Sequence, residues 1–222
     1  MYKVAMVSLG CPKNQVDAEK MLACLKNGGL EITSAEADAD AIIINTCGFI
    51  ESAKAEAIEN ILEAARYKED GSCKALVVTG CLAERYRDDI TEEIPEVDVC
   101  VGLGSNGKIA EIVKKAIEGE KQNYYGEKTD LDLNGERILG GMPYTAYLKV
   151  GDGCDNCCSY CAIPKIRGRM RSRTIEDCVA EAKVLAKGGV TDLIVVAQDT
   201  TAYGTDLYGE PKLHELLTEL CK

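Results

Sequence analysis

Four of the chain's twelve cysteines, Cys154, Cys157, Cys158 and Cys161, fall within eight residues of one another in the run Gly151-Asp-Gly-Cys-Asp-Asn-Cys-Cys-Ser-Tyr-Cys-Ala-Ile-Pro164. Thiols crowded this closely serve as a disulfide framework or as metal ligands. The sequence starts at Met1 without a secretory segment, so a reducing, cytoplasmic setting is expected and disulfides are not. Metal ligation remains, in one of two registers. Cys154/Cys157 and Cys158/Cys161 would form two C-x2-C units, but structural zinc sites separate such pairs by about a dozen residues and these pairs abut. Cys154, Cys158 and Cys161 alternatively read as C-x3-C-x2-C. That register supplies three corners of a 4Fe-4S cluster and leaves the fourth iron open to a substrate or cofactor.

Three more cysteines share a placement. Cys11, Cys47 and Cys81 each follow an apolar run, at residues 4–9, 41–45 and 75–79, and each adjoins a glycine (Gly10, Gly48, Gly80). The runs read as buried strands. Between and after them, amphipathic spacing predicts helices at 16–26, 51–67, 82–87 and 109–117, with further strands at 31–35 and 97–101. Repeated alternation of apolar strands with helices implies a doubly wound α/β domain, a parallel sheet covered on both faces. Ligands of such sheets bind at the carboxyl edge of the strands, where three thiols distant in sequence can meet. Cys24, Cys73, Cys100, Cys178 and Cys221 lack this placement and read as small buried hydrophobes.

This domain is expected over residues 1–118, followed by a polar linker at 119–144. Residues 145–150 then read as a strand leading into the cysteine loop, with Thr174 as N-cap of a helix to 187 whose inward residues are Ile175, Val179, Ala182 and Ala186. A buried strand at 192–198 and a last helical stretch at 211–220 follow. Residues 145–222 thus hold two strand–helix units.

Composition excludes several classes. No apolar run approaches the roughly eighteen residues of a membrane span, and a net charge of −11 argues against general nucleic-acid binding. Between residues 144 and 173 the balance reverses. Lys149, Lys165, Arg167, Arg169, Arg171 and Arg173 face only Asp152 and Asp155, which reads either as a solvated basic loop or as cations that bind an anionic group. A single histidine, His214, and no serine–base arrangement leave hydrolytic chemistry without its parts.

Cys154-Asp-Asn-Cys-Cys-Ser-Tyr-Cys-Ala-Ile-Pro-Lys-Ile-Arg-Gly168 resembles the cluster loop of radical SAM enzymes of the methylthiotransferase branch, from which it departs only at Cys157. Ser8-Leu-Gly-Cys-Pro-Lys-Asn14, Asn45-Thr-Cys-Gly-Phe-Ile50 and Thr79-Gly-Cys-Leu-Ala83 resemble the three cysteine motifs of that family's amino-terminal domain. With Ala197-Gln-Asp-Thr-Thr-Ala-Tyr-Gly-Thr-Asp-Leu-Tyr-Gly209, they are most similar to the type that thiomethylates an aspartate of small-subunit ribosomal protein twelve. The sister family acting on isopentenyl-adenosine in tRNA is the alternative. The resemblance implies two 4Fe-4S clusters, one at Cys154, Cys158 and Cys161 with S-adenosylmethionine on its open iron, the other at Cys11, Cys47 and Cys81.

It further implies a partial TIM barrel after residue 145, of which this chain holds the first units. The partners implied are the ribosomal protein or ribosome and a one-electron reductant of flavodoxin or ferredoxin type. Tyr160 is implied beside the cofactor, and Gln198 and Asp199, just past a strand, are candidates for its amino group or ribose; ordinary turn chemistry is the other reading of those two. Outside this family, the cysteines fit an electron-transfer module or an inactive fragment, although three-cysteine sets favour catalysis over electron transfer.

Overall fold

A computed structural model describes residues 1–222, the side chain of Asp70 excepted. The chain divides into two compact units, Met1–Asp132 with Glu136–Ile138, and Leu133–Gly135 with Leu139–Lys222.

The first unit runs β1 (Lys3–Ser8), α1 (Pro12–Asn27), β2 (Glu31–Thr33), β3 (Ala41–Thr46), α2 (Glu51–Asp70), β4 (Ala75–Gly80), α3 (Cys81–Tyr86), α4 (Asp88–Glu93), β5 (Val99–Val101) and α5 (Ile109–Ile117). Its five strands are all parallel, in the order β2-β1-β3-β4-β5. Successive strand residues point to opposite faces. Val4, Ile43, Val77 and Val101 therefore pack with Met21 and Leu25 of α1 and with Ile109, Ile112 and Val113 of α5. Ala5, Ile42, Ile44, Leu76 and Val78 pack with Ala57 and Ile61 of α2, Leu82 of α3 and Ile90 of α4 on the other face. Burial on both sides explains why the strands are continuously apolar. Each fully buried Ile or Val contributes about 1.5–3 kcal/mol.

Two details depart from the sequence pattern. Helix α1 starts at Pro12 rather than at 16, because proline's fixed φ suits the first helical position and Cys11 caps it in an extended conformation. Helix α4 was not anticipated; it follows Arg87, a non-glycine residue at φ 47° that turns the chain sharply. In the stretch 119–144, Tyr124 bridges to Val101, a 3-10 turn spans Lys128–Asp130, and the Ile138 N–H donates to Glu19 O.

The second unit contains β6 (Thr145–Lys149), β7 (Gly151–Asp152), α6 (Ile163–Arg167), β8 (Arg171–Ser172), α7 (Ile175–Lys187), β9 (Asp192–Val196), α8 (Thr205–Tyr208) and α9 (Leu213–Leu220). Strands β6 and β9 pair in parallel, whereas β7 and β8 form a short antiparallel pair. Thr174 caps α7 by accepting from the Asp177 N–H, as its sequence predicts. Ile175 and Ala182 pack against the core as expected, while Cys178 and Leu185 are the fully buried residues of the helix and Ala186 is exposed. Strand β9 is half exposed rather than buried, because among the described residues it has a strand neighbour only in β6. Tyr203, read from sequence as part of a loop, is fully buried and donates its hydroxyl to Arg173 O. Among the described residues no helix is long and apolar enough to cross a membrane.

Candidate functional site

In the first unit the strand pairing itself brings three cysteine-bearing turns to one edge. Ser8 pairs with Asn45 and Asn45 with Thr79; one step on, Thr46 pairs with Gly80. Cys11, Cys47 and Cys81 all lie just past these paired residues, at the carboxyl edge. The strand order reverses between β1 and β3, the crevice where doubly wound sheets bind ligands, and Cys11 and Cys47 follow those two strands.

Glycine permits the close approach. Gly10 has φ 92°, and a Cβ built on it would lie 2.6 Å from the Cβ of Cys47. Gly80 has φ 94°, and a Cβ there would collide with Thr46 O. Neither position admits another residue without strain. Cys11 and Cys47 are half-buried, and Cys81 is buried. Cys11 also stands at the amino terminus of α1, where free backbone N–H groups favour negative charge.

Beneath the thiols lies a layer of buried amides and hydroxyls, not singled out from sequence. Asn14 Nδ2 donates to Leu9 O (2.7 Å) and Thr46 O (3.2 Å), while Asn45 Nδ2 donates to Ser8 Oγ (3.1 Å) and Asn14 O (3.0 Å). Thr46 Oγ1 donates to Thr79 O, Thr79 Oγ1 to Asn106 Oδ1, and Arg85 Nη1 to Gly48 O. All three turns are thereby tied together. The signal available in sequence was polar residues at the last positions of otherwise apolar strands.

In the second unit Cys154, Cys158 and Cys161 sit on one loop between β7 and α6, with Cys157 among them at φ 49°. Cys154 and Cys161 are half-buried, Cys157 and Cys158 exposed. The Cys154 N–H donates to Gly168 O (3.2 Å), which joins the loop's two stems, and the Cys161 N–H donates to Cys158 O (3.0 Å), which closes a turn within it. Tyr160 is 85% exposed. Gln198 Nε2 donates to Asp152 Oδ1 (2.7 Å), and its Oε1 is buried without a hydrogen-bond partner, an acceptor left over for a donor. Asp199 accepts from Asn156 Nδ2 (2.7 Å) and from the N–H and hydroxyl of Thr201, the turn chemistry its sequence also allowed. The Thr201 and Asn156 bonds hold its carboxyl below the usual range.

The basic segment proves to be largely internal. Arg167 and Lys149, both buried, pair with Asp152, whose carboxylate is 1% exposed. Burial opposes that charge, but Lys149, Arg167 and the Gln198 bond outweigh it and hold the carboxyl far below the ordinary range. Arg173 pairs with Glu181 and donates to Lys149 O. The sequence counts Asp152 among the facing acids but does not show its pairing, since contact over 15 residues leaves no periodic trace, and Glu181 lies outside the segment. Arg169, 90% exposed, is solvated beside Asp155.

Of the remaining thiols, Cys73, Cys100 and Cys178 are buried as expected, and burial pushes Cys100 and Cys178 up to about 11. Cys24 is half-buried and Cys221 exposed, so for Cys221 the expected burial does not hold. Among the described residues, no three Cys, His, Asp or Glu side chains are gathered as the ligands of a single metal ion.

Two family models match the chain: "Uncharacterized protein family UPF0004" over residues 3–102, and "Radical SAM superfamily" over residues 148–222. The first covers β1 to β5 and the second the loop and everything after it. Curated relatives named "Ribosomal protein uS12 methylthiotransferase RimO" match essentially the whole of this chain. That of Desulforamulus reducens is 54% identical over 99% of this chain and 50% of its own length. That of Pelotomaculum thermopropionicum is 52% identical over 98% and 49%, and that of Clostridium perfringens strain SM101 50% identical over 100% and 50%. The chain spans about half the length of these relatives. With a cysteine-edged parallel sheet under one model, a C-x3-C-x2-C loop under the other, and about 50% identity throughout, the chain is similar over its whole length to about half the length of these methylthiotransferases.

Proposed function

We propose that this chain carries the two iron–sulfur sites of a methylthiotransferase, Cys154, Cys158 and Cys161 holding one 4Fe-4S cluster and Cys11, Cys47 and Cys81 the other. The observation that supports the reading best is the parallel-strand register that sets three thiols past three neighbouring strands of the first unit; the loop of the second unit offers its own set of three. Both sets consist of thiols alone, the donors that iron–sulfur clusters take, and a set of three leaves one iron of each cluster free for a reacting partner. When bound, the clusters with S-adenosylmethionine supply hydrogen abstraction from an unactivated C–H bond and delivery of a methylthio group.

The chain's own residues bind and orient. Gln198 Oε1, a buried acceptor without a partner, is suited to the cofactor's amino group. The Asn156–Asp199 bond fastens the cysteine loop to the loop after β9, and exposed Tyr160 is free to cover the cofactor. The backbone at Gly10 and Gly80 lets the first trio's turns approach closely while its polar layer keeps them in register. For the whole protein, the relatives' name points to ribosomal protein uS12 as substrate; the motif resemblance adds an aspartate side chain as the modified group, a cytoplasmic setting and a flavodoxin- or ferredoxin-like electron donor to the proposal.

Anaerobic reconstitution tests the site assignment. The chain should bind about eight irons in two clusters, and Cys47→Ala and Cys158→Ala should each remove one cluster and leave the other. Reduced protein given S-adenosylmethionine should release 5′-deoxyadenosine in the Cys47→Ala variant and none in Cys158→Ala. If Cys157→Ala removes a cluster and Cys158→Ala does not, the second ligand set is wrong.

A further inference from the structure

The cysteine loop is closed by a buried carboxylate as well as by its backbone. Asp152 lies two residues before Cys154, and Arg167 lies six residues after Cys161. Arg167 Nη1 reaches both oxygens of Asp152, at 3.0 and 3.2 Å, so the chain entering the loop is bonded to the chain leaving it. The same carboxylate accepts from Gln198 Nε2 at 2.7 Å, past the end of β9, and pairs with Lys149 Nζ at 3.4 Å, at the end of β6. Asp152, Lys149 and Arg167 are each at most 3% exposed at the side chain. One anion thus gathers four points of the second unit: both stems of the loop and the ends of both strands of the β6–β9 sheet.

Such an arrangement is poor value as stabilisation alone, because burying three charges costs about as much as their attraction returns. What a buried hydrogen-bonded ion cluster does supply is a unique geometry. An apolar contact would let the stems slide, whereas Arg167's planar guanidinium against a carboxylate fixes distance and direction. The site itself is an exposed loop without regular structure, and a ligand set must be held to within about half an ångström by supporting bonds.

We propose that Asp152 and Gln198 are positioning residues that latch the Cys154–Cys161 loop in its ligand-ready shape. The latch deepens the assignment of Cys154, Cys158 and Cys161 as ligands and rests on it. It acts before any metal arrives, since every contact belongs to the chain.

The test uses the full chain in a Cys47→Ala background, so that the loop's cluster is the only one loaded, and compares it with added Gln198→Ala or Asp152→Asn, without S-adenosylmethionine. In iron-free protein, hydrogen exchange over residues 153–162 should quicken several-fold in both variants while β6 and the middle of α7 keep their protection. In loaded protein, both variants should lose iron to a chelator several-fold faster and show an altered electron paramagnetic resonance line shape. Asp152→Asn alone should also move the reduction potential to more positive values, since it removes a negative charge. Should Asp152→Asn not fold, Gln198→Ala, which changes no charge and removes a half-exposed side chain, decides the matter. Unchanged loop exchange and unchanged chelation in Gln198→Ala would overturn the latch. A parent chain that loads no iron at this loop would overturn the ligand assignment instead, with the exchange measurement still deciding the latch.

Discussion

The two cysteine trios reach the same donor set by opposite routes. In the first unit, Cys11, Cys47 and Cys81 are 36 and 34 residues apart and reach one edge of the sheet only because β1, β3 and β4 pair in parallel and in register. In the second, Cys154, Cys158 and Cys161 are placed by the local spacing of one loop, and tertiary structure enters through its stems. The difference is one of what must be intact. The first trio depends on the sheet and on neutral hydrogen bonds from Asn14, Asn45 and Thr46 at its edge. The loop trio depends on charges, with Asp152 at the centre. On the proposed ligand assignment, one site would be as cooperative as a whole domain and the other as local as a loop.

That contrast can be broken most directly at Gly80. Gly80→Val puts a branched side chain at φ 94° against Thr46 O, and strain of this kind should cost the first unit about 3–4 kcal/mol. Denaturant unfolding should show the loss in the first unit, and reconstituted protein should lose the Cys11/Cys47/Cys81 iron while keeping that of the loop. Equal loss at both sites would show that the trios are not independent.

A somewhat smaller effect is expected from Asn45→Ala. It removes the donor that reaches Asn14 O and Ser8 Oγ, and leaving the buried Asn14 carbonyl unpaired should cost about 2 kcal/mol. Iron at the first trio should bind more weakly even where the fold persists, which titration with ferrous iron and sulfide would measure.

Asp98 sharpens the comparison by placing a buried charge in the first unit, before β5 and so at the opposite end of the strands from Cys11, Cys47 and Cys81. It accepts from the Leu76 N–H and Lys68 and pairs with Lys121. Burial works against its charge, but the Lys121, Lys68 and Leu76 bonds prevail and its carboxyl lies below the usual value. With the folded value depressed, the stability from this group is present above the unfolded value of about 4 and is lost as pH falls through the folded one. Asp98→Asn should cost about 2 kcal/mol at neutral pH, and the cost should shrink as pH falls below about 4. A cost independent of pH would mean that the loss is one of packing.

The smallest change is expected at Thr174, whose side chain caps α7 in the second unit. Thr174→Ala should cost about 1 kcal/mol and leave the iron affinity of the cysteine loop untouched. Weaker iron binding in this variant would place the loop under the control of the unit's general stability and erase the distinction between local and cooperative sites.

Much of this was open to reading in the residues. Apolar runs at Val4, Ala41 and Ala75 mark buried parallel strands because only two-sided burial makes a strand continuously apolar. A cysteine just past each run then falls at the ligand-binding edge whatever the strand order. Four residues from Cys154 to Cys158 and three to Cys161 keep the loop's thiols close together, since short spacing survives folding unchanged. The Thr174 cap was equally local. What the tertiary structure decided is pairing between polar groups that sequence keeps apart: Asp152 with Arg167 and Gln198, Asn45 with Ser8 and Asn14, Arg173 with Glu181. It also decided that Tyr203 lies in the core and that Cys178 and Leu185, not Ala186, face inward. Apolar periodicity reports which face of an element is buried, averaged over several residues. A hydrogen bond or ion pair depends on where two particular atoms arrive, and that position is set only once the strands have found their neighbours.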